Sequence, residues 1–409
     1  MKQTRPGSGA ELRRILMVCQ NGLYPAVLGG MELRGRELFD LFSQSYDVAL
    51  LKRRVLTIGS TDVELSNPDW NLTPISASAP ARLIRHWRWV GAGARFMAVG
   101  RRKLRAMLNA YRPDLVFLLK FRAFHPAVLY ELLAFPAPIV VRFGDCYSMQ
   151  LAEVVKGIPA AESVRRTLFP VPRLPRSVCD RMMLVFNCNF IRDLYRPLFP
   201  SVAYRVIYTG VDTTRFFPAS VPVESNRFVF LGRTTRGKGF LEFCRAMVAL
   251  PKALVNSIEI LGTGTALEEG LAILQAGGRS DLVGYAGLCP HEAVAERLRA
   301  ASILVQPTDD DGLPASVLEA MSSGLAVVAT NLSGLPEIIR HEETGLLVPQ
   351  HDQTELVHAC RRLAEHADLR RRLGQEARRL VLARHQASDW LAANRAVVAD
   401  MIDRTQVRT

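Results

Sequence analysis

Two acidic residues separated by seven others stand in the stretch TDDDGLPASVLEAMSSG, at Asp311 and Glu319. The stretch has the pattern of a strand end, a loop, and a helix that begins at Pro314. Asp311 would lie on the loop, and Glu319 roughly 7 Å along the helix from Pro314 at about 1.5 Å per residue. Carboxylates accept paired hydrogen bonds from vicinal hydroxyls, and a helix N-terminus suits a phosphate. The spacing therefore predicts a crevice for a ligand in which sugar hydroxyls flank a phosphate group.

Two cations follow an apolar strand pattern in FLGRTTRGKGF, at Arg233 and Lys238. At the carboxyl end of a strand they would neutralise a diphosphate leaving group, through charge-assisted hydrogen bonds of about 1.5–3 kcal/mol each. Arg236 stands between them and is predicted to be exposed surface charge. The run Asp309-Asp310-Asp311 could instead hold a divalent cation. Because the two cations already supply the charge that a metal would bring to a diphosphate, we expect no metal.

Alternating strand and helix patterns must position these residues. Apolar runs of strand length recur in the first half of the chain, at 15–19, 47–51, 114–119, 138–143 and 183–188. They recur again in the second half, at 227–232, 257–262, 302–307, 325–330 and 344–349. Alternation of this kind predicts an α/β protein of two doubly wound domains with parallel sheets facing a cleft. Ligands of such sheets bind at the carboxyl ends of the strands.

The stretch YTGVDTTRFFP at 208–218 interrupts this alternation and marks a linker. We therefore divide the chain into an N-terminal Rossmann-like domain, a linker, a C-terminal Rossmann-like domain and a final helix: 1–205, 206–222, 223–385 and 386–409. Asp352 and Glu355 form a capping-box pattern that opens a late helix. Trp390 is the expected anchor of the last helix, which we expect to return toward the N-terminal domain.

The ordered set of motifs resembles the family 4 retaining glycosyltransferases of the GT-B fold. Asp311-x7-Glu319 resembles their acidic signature, and Arg233-x4-Lys238 resembles their paired cations. The sequences GVD at 210–212, Gly262-Thr263-Gly264 and GLPE at 334–337 match the family in the same order. The likeness covers nearly the whole chain and is strongest from 205 to 385. It implies a metal-independent enzyme that moves a hexose-type sugar from a nucleoside diphosphate, UDP or GDP, to an acceptor bound by the N-terminal domain.

The resemblance also implies roles for individual residues. Asp311 would contact hydroxyls of the transferred sugar, Glu319 would hold the ribose hydroxyls, and the two cations would stabilise the departing diphosphate. The other implied donor-binding positions lie on loops that follow strands: Gly29, Gly30, Gly262, Gly264, Gly312, Leu313 and Pro314. In this family the acceptor hydroxyl attacks the sugar on the same face from which the leaving group departs, so no protein nucleophile is required.

Two positions depart from the family pattern. The first acid is usually Glu, whereas Asp311 has a shorter side chain. Many members carry a His after the strand at 138–143, where this chain has Gly144 and Asp145. Asp145 is therefore included among the candidate catalytic residues. His125, after the preceding strand, is a second candidate for which a structural role is the favoured interpretation.

The net charge of +13 lies entirely in the first half of the chain. Residues 1–200 carry +14 and the remainder −1, and residues 70–113 contain nine basic side chains and no acidic one. A helix over 82–105 would place Arg85, Arg88, Arg95 and Arg102 on one arc. A basic amphipathic helix predicts attachment to an anionic membrane surface, and a solvated helix that covers the sheet is an equal alternative. Nucleic acid is not an expected partner, since no binding module accompanies the charge.

Several features predict a cytoplasmic protein, held peripherally at the inner face of the plasma membrane if the basic helix binds lipid. The N-terminal sequence lacks the apolar stretch of a signal peptide, and no apolar run approaches the roughly 20 residues that span a bilayer. Seven scattered cysteines without CxxC spacing indicate neither a disulfide framework nor a zinc site. The basic first half favours an anionic acceptor, such as a lipid-linked saccharide of cell-surface polysaccharide biosynthesis.

Two other functions are compatible with the sequence. A sugar-nucleotide epimerase of the same fold would consume the donor without an acceptor. A catalytically silent scaffold subunit of a glycan assembly complex would fit the absent His and the shortened acid at position 311.

Overall fold

The computed structural model of this protein describes residues 12–19, 30–51, 55–58, 61–64, 101–119, 131–144, 174–221, 226–309 and 311–406. These residues form two α/β units, each built on one sheet with helices packed against it. The predicted fold class is confirmed.

The N-terminal sheet has eight described strands in the order β4-β3-β2-β1-β5-β6-β7-β8. Their bounds are β1 (Arg14–Val18), β2 (Asp47–Leu51), β3 (Val55–Ile58), β4 (Thr61–Glu64), β5 (Leu115–Leu118), β6 (Ile139–Phe143), β7 (Met182–Phe186) and β8 (Ala203–Val206). The described helices of this half are α1 (Gly30–Phe42), α2 (Arg101–Tyr111), α3 (Arg176–Cys179) and α4 (Asn189–Tyr195). All pairs are parallel except β2·β3 and β3·β4. The antiparallel edge was not predicted, because strands of four residues are too short to show a clear apolar period.

The C-terminal sheet has six described strands, all parallel, in the order β11-β10-β9-β12-β13-β14. The strands are β9 (Arg227–Leu231), β10 (Ser257–Leu261), β11 (Val283–Gly287), β12 (Ile303–Gln306), β13 (Ala326–Thr330) and β14 (Leu346–Val348). The helices are α5 (Phe240–Ala249), α6 (Leu267–Ala276), α7 (His291–Arg299), α8 (Ala315–Ser322), α9 (Leu335–Ile338), α10 (Gln353–Glu365), α11 (Ala367–Arg384) and α12 (Ala387–Gln406). The strand order reverses between β9 and β12, which makes their carboxyl ends the switch point where ligands of doubly wound sheets bind.

Both faces of the C-terminal sheet are covered, which explains why its central strands are apolar throughout. Phe228 and Phe230 of β9 point to one face, and the ring of Phe230 packs edge-on against Phe240 of α5 at 5.1 Å. Val229 and Leu231 point to the other face and join a buried cluster that continues into the N-terminal unit. The two units therefore share apolar packing at their seam.

The last helix packs on the N-terminal sheet, although it follows the C-terminal unit in sequence. Trp390 of α12 is buried together with Ile15 and Met17 of β1, as expected for an anchor. The turn that precedes α12 pairs with the linker, where the Val211 amide donates to the His385 carbonyl at 2.8 Å. At the start of α10, the Asp352 carboxylate accepts from the Glu355 amide at 3.0 Å, which confirms the predicted cap.

Most of the predicted basic helix, 82–100, lies outside the described residues. The described part belongs to α2, which begins at Arg101, continues past residue 105 and buries Leu104 and Leu108 against the sheet. Arg105 pairs with the Glu131 carboxylate. None of the helices in the described ranges is both long enough and apolar enough to cross a bilayer. The six cysteines among the described residues are free thiols.

The turn that carries Lys238 depends on a glycine. Gly239 has φ +71°, and a Cβ there would lie 1.8 Å from the Pro307 carbonyl oxygen, whereas Gly278 has φ +66° with open space around it. We expect Gly239→Ala to lower the free energy of unfolding by about 2–4 kcal/mol, because left-handed strain and a backbone clash add. Gly278→Ala is the matched control, with about 1–2 kcal/mol from strain alone. Urea titration of both variants tests this, and equal losses would contradict it.

Candidate active site

Lys238 and Asp311 meet at the switch point of the C-terminal sheet. Lys238 ends a short 3₁₀ turn after β9, and Asp311 lies on the loop after the neighbouring strand β12. The Lys238 ammonium and the Asp311 carboxylate form an ion pair, with side chains 14% and 22% exposed. The pair is mostly shielded but partly exposed to solvent, so a ligand can reach it. The structure thus joins two residues predicted to act together.

The other predicted cation, Arg233, does not share this ion pair. Arg233 is exposed, and its guanidinium has no ion-pair partner within the described part of the chain. Arg236 is exposed as predicted, and it pairs at the surface with Glu269 at 2.6 Å. Lys238 is therefore the cation that the structure places in contact with a predicted acid.

Glu319 lies on α8, on the seam between the two units, and its side chain is only 7% exposed. Its Oε1 accepts from His291 Nε2 at 2.9 Å and lies 3.9 Å from Arg34 Nη2 of α1. The predicted crevice residues thus form two groups, with Lys238 and Asp311 in one and Glu319 in the other. His291 and Arg34 were not identified from the sequence.

His291 is held on its second nitrogen by the linker. Arg215 Nη1 lies 3.0 Å from His291 Nδ1, and the ring of Phe216 packs edge-on against the imidazole at 4.9 Å. His291 opens α7 after β11, at the strand edge where ligands of such sheets bind. A strand predicted at β11 would have placed His291 at this edge from the sequence alone.

A buried cationic cluster faces Glu319 from the N-terminal unit. Arg34 pairs with Glu37 at 2.7 Å, and the guanidinium groups of Arg34 and Arg142 lie 5.7 and 5.3 Å from the ring centre of Trp390. Burial, and then the proximity of Arg34, lower the pKa of Arg142 to about 10. Arg34 lies one turn into the helix that follows β1. Its place in the first helix after a strand is the sequence feature that could have identified it.

The glycines after the C-terminal strands allow loops to pack closely. A Cβ at Gly262 would lie 1.9 Å from the Gly232 carbonyl oxygen, and one at Gly264 would lie 2.6 Å from that of Thr234. A Cβ at Gly312 would lie 2.7 Å from the carbonyl oxygen of Gly144, at the end of β6. These glycines therefore let loops pack closely. Their contacts with a donor stay a prediction.

The remaining predicted positions divide between the seam and the undescribed ranges. Leu313 is buried, and Pro314 is the N-cap of α8, so this helix begins one residue after the predicted start. Gly30 opens α1 as predicted. Gly29, His125 and Asp145 lie outside the described residues.

The run Asp309-Asp310-Asp311, which could hold a divalent cation, is only partly described, because Asp310 lies outside the described residues. Asp309 Oδ1 is 3.5 Å from His351 Nδ1 and accepts from Gln350, so it faces different partners from Asp311. Within the described ranges, no group of three or more His, Cys, Asp or Glu side chains is arranged to hold a metal ion.

Glu337 joins the two units across the seam. Its carboxylate accepts from the amides of Asn189 and Phe190, at 2.9 and 2.7 Å, and from the Tyr208 hydroxyl at 2.5 Å. Burial, and then the bond to Glu337, raise the pKa of Tyr208, so its hydroxyl remains a donor. Nearby, burial raises the pKa of Cys188 to about 12, and the thiol remains neutral. The carboxylate thus closes the N-terminus of α4 from the opposite unit.

We expect Glu337→Gln to lower the free energy of unfolding by about 1–3 kcal/mol. The amide NH₂ cannot accept from a backbone N–H, so one donor of α4 loses its partner. Glu343→Gln is the matched control, since Glu343 is 65% exposed and pairs only with Arg340 at 3.5 Å. We expect less than about 0.5 kcal/mol there. Equal stability of the two variants in urea would show that Glu337 does not hold the seam.

Comparison with known proteins agrees with this fold. Residues 212–380 match the family model for glycosyl transferases, group 1. Over 171 residues the chain is 30% identical to WcaL of Escherichia coli K12, a glycosyltransferase provisionally named for colanic acid biosynthesis. That alignment covers 39% of this chain and 41% of WcaL, so the match spans less than half of either protein.

Two solved structures share the fold over nearly the whole chain. Sucrose-phosphate synthase from Thermosynechococcus elongatus superposes with a TM-score of 0.72 at 19% identity, covering 96% of this chain and all of that one. HepE from Anabaena, solved in complex with UDP-glucose, gives 0.67 at 14% identity and covers 95% of this chain and 99% of that one. At such identities the likeness shows the fold alone. Residues 212–380 therefore resemble the group 1 glycosyl transferases, in a chain that has the GT-B fold.

Proposed function

We propose that this protein is a retaining glycosyltransferase that moves a sugar from a nucleoside-diphosphate sugar, UDP- or GDP-linked, to an acceptor hydroxyl. The observation that carries the proposal is the Lys238–Asp311 pair at the switch point of a group 1 glycosyl transferase domain. A second acid, Glu319, lies buried on the adjoining seam. The UDP-glucose complex of HepE, a protein of the same fold, supports a nucleotide-sugar donor.

In this proposal the donor exchanges partners with the ion pair. The diphosphate of the donor competes for the Lys238 ammonium, because two phosphates offer more negative charge than one carboxylate. Asp311 is then released to accept hydrogen bonds from hydroxyls of the transferred sugar. Glu319 accepts from the ribose hydroxyls. Arg233, exposed on the same loop as Lys238, is proposed to bind the outer phosphate.

The transfer step needs charge stabilisation more than it needs a nucleophile. The acceptor oxygen bonds to the anomeric carbon on the face from which the phosphate oxygen departs, and that phosphate oxygen takes the acceptor proton. Negative charge grows on the diphosphate as the bond breaks, and the Lys238 ammonium stabilises it without a metal ion. We propose that Asp145, next to the position where many family members carry a His, takes over part of the role of that His.

The proposed acceptor is a lipid-linked saccharide of cell-surface polysaccharide biosynthesis. The name of WcaL supports this class of pathway, and the +14 charge of residues 1–200 supports an anionic acceptor presented at the inner face of the plasma membrane. Sedimentation with anionic vesicles at low and high salt tests the membrane part. Absence of binding at low salt would remove the membrane surface from the proposal.

A thermal-shift screen with UDP, GDP and ADP tests the donor class. A ligand at 100 times its dissociation constant adds roughly 2.7 kcal/mol of stability, which is readily measured. With the matching nucleotide sugars, release of diphosphate that depends on an added acceptor would support transfer. Donor consumption without an acceptor would favour an epimerase, and the absence of any nucleotide effect would favour a scaffold subunit.

A further inference from the structure

We propose that His291, held by Arg215 of the linker, is the positioning residue that orients Glu319 for recognition of the donor ribose. This inference rests on the proposed function and adds to it a residue outside the acidic signature. It is carried by a continuous chain of hydrogen bonds from the linker, through the imidazole, to the buried carboxylate.

The two hydrogen bonds determine which nitrogen of the imidazole carries the proton. An arginine side chain only donates hydrogen bonds, so the contact of 3.0 Å between Arg215 Nη1 and His291 Nδ1 requires Nδ1 to accept. The remaining proton is therefore on Nε2, which donates to Glu319 Oε1 at 2.9 Å. The imidazole is neutral in this state, and its orientation is set at both nitrogens.

Arg215 and Phe216 hold the imidazole from the linker side. Arg215 lies within ion-pair distance of two carboxylates, Asp212 at 3.9 Å and Glu292 at 3.7 Å. Phe216 is fully buried and packs against the imidazole ring. His291 is therefore confined before any ligand arrives, which reduces the ordering that binding would otherwise require.

The consequence for Glu319 is that one oxygen is occupied and the other is available. Oε1 receives the bond from His291 and faces Arg34, whereas no described residue donates to Oε2. A carboxylate fixed in this way presents one oxygen in a set direction, which suits a ligand hydroxyl. Loss of the His291 bond would let Glu319 turn toward Arg34, and the ligand hydroxyl would lose an aligned acceptor.

The test measures selectivity for the ribose hydroxyl. UDP and 2′-deoxy-UDP are titrated by calorimetry into the full chain, with the GDP and ADP pairs in parallel. The dissociation constant of the 2′-deoxy nucleotide divided by that of the ribonucleotide is compared between variants. We expect His291→Phe to reduce this ratio roughly 10-fold, because a hydrogen bond to a charged group is lost. His291→Gln, which can accept from Arg215 and donate to Glu319, is expected to stay within about threefold of the wild type.

His358→Phe is the matched control, since this exposed histidine lies only near Glu355 of its own helix. If His291→Phe does not fold, Arg215→Met carries the test, because it removes the donor to Nδ1 and should reduce the ratio in the same direction. A wild-type ratio in folded His291→Phe or Arg215→Met would overturn the inference and leave the proposed function in place. A wild-type chain that binds none of the three diphosphates would overturn both.

Discussion

Replacing Lys238 by alanine is expected to lower kcat for sugar transfer by roughly 10²- to 10³-fold. The ammonium acts on charge that develops only as the diphosphate departs, so its loss raises the barrier more than it weakens donor binding. The fold should survive, because Asp311 is 22% exposed and water can solvate its carboxylate once the cation is gone. Initial-rate kinetics with saturating donor measure the effect.

Lys252→Ala is the matched control for this variant. Lys252 also lies in the C-terminal domain and also pairs with an aspartate, Asp281 at 3.0 Å, but it is 57% exposed at the surface. We expect its kcat to equal that of the wild type. Wild-type turnover in Lys238→Ala would contradict the proposed role of the lysine and favour a scaffold subunit.

Replacing Glu319 by glutamine is expected to raise KM for the donor roughly 10- to 100-fold, with kcat nearly unchanged. The ribose lies away from the reacting carbon, so its hydrogen bonds are equally strong in the ground state and in the transition state. The amide keeps the shape of the side chain, which limits the loss of packing on the seam. Kinetics over a range of donor concentrations separate the two parameters.

Glu376→Gln serves as the control, because the Glu376 side chain is 38% exposed and pairs only with Arg379 one turn along the same helix. Its kinetic parameters should match the wild type. A fall in kcat at unchanged KM for Glu319→Gln would mean that the glutamate acts at the reacting centre. The contrast with Lys238→Ala, which should change kcat, is therefore part of the prediction.

The sequence was sufficient to predict the central strands of both sheets because those strands are buried on both faces. β2 (Asp47–Leu51) begins and ends where its apolar run does, and β9 (Arg227–Leu231) differs by one residue at its end. The edge strand β11 was missed because its residues are half exposed and include two glycines. Pattern alone identifies a strand best where solvent is excluded from both sides.

The site was predicted less completely than the fold. The pairing of Lys238 with Asp311 follows from the adjacency of the parallel strands β9 and β12. The alternation of patterns predicted parallel strands but not their order. The contacts of Glu319 could not be predicted, because His291 reaches it from α7 and Arg34 from α1 of the N-terminal unit. Contacts between separate sheets depend on how the two units are oriented, and local sequence patterns do not contain that information.

The central claim is that Lys238 and Glu319 bind different parts of one nucleoside diphosphate. Calorimetric titration of the wild type, Lys238→Ala and Glu319→Gln with UDP, uridine and 2′-deoxy-UDP tests it most directly, with the guanine and adenine series in parallel. Lys238→Ala should lose roughly 10-fold of the preference for UDP over uridine and keep the preference for ribose. Glu319→Gln should lose roughly 10-fold of the preference for UDP over 2′-deoxy-UDP and keep the preference for UDP over uridine. Wild-type selectivity in either folded variant would contradict the account.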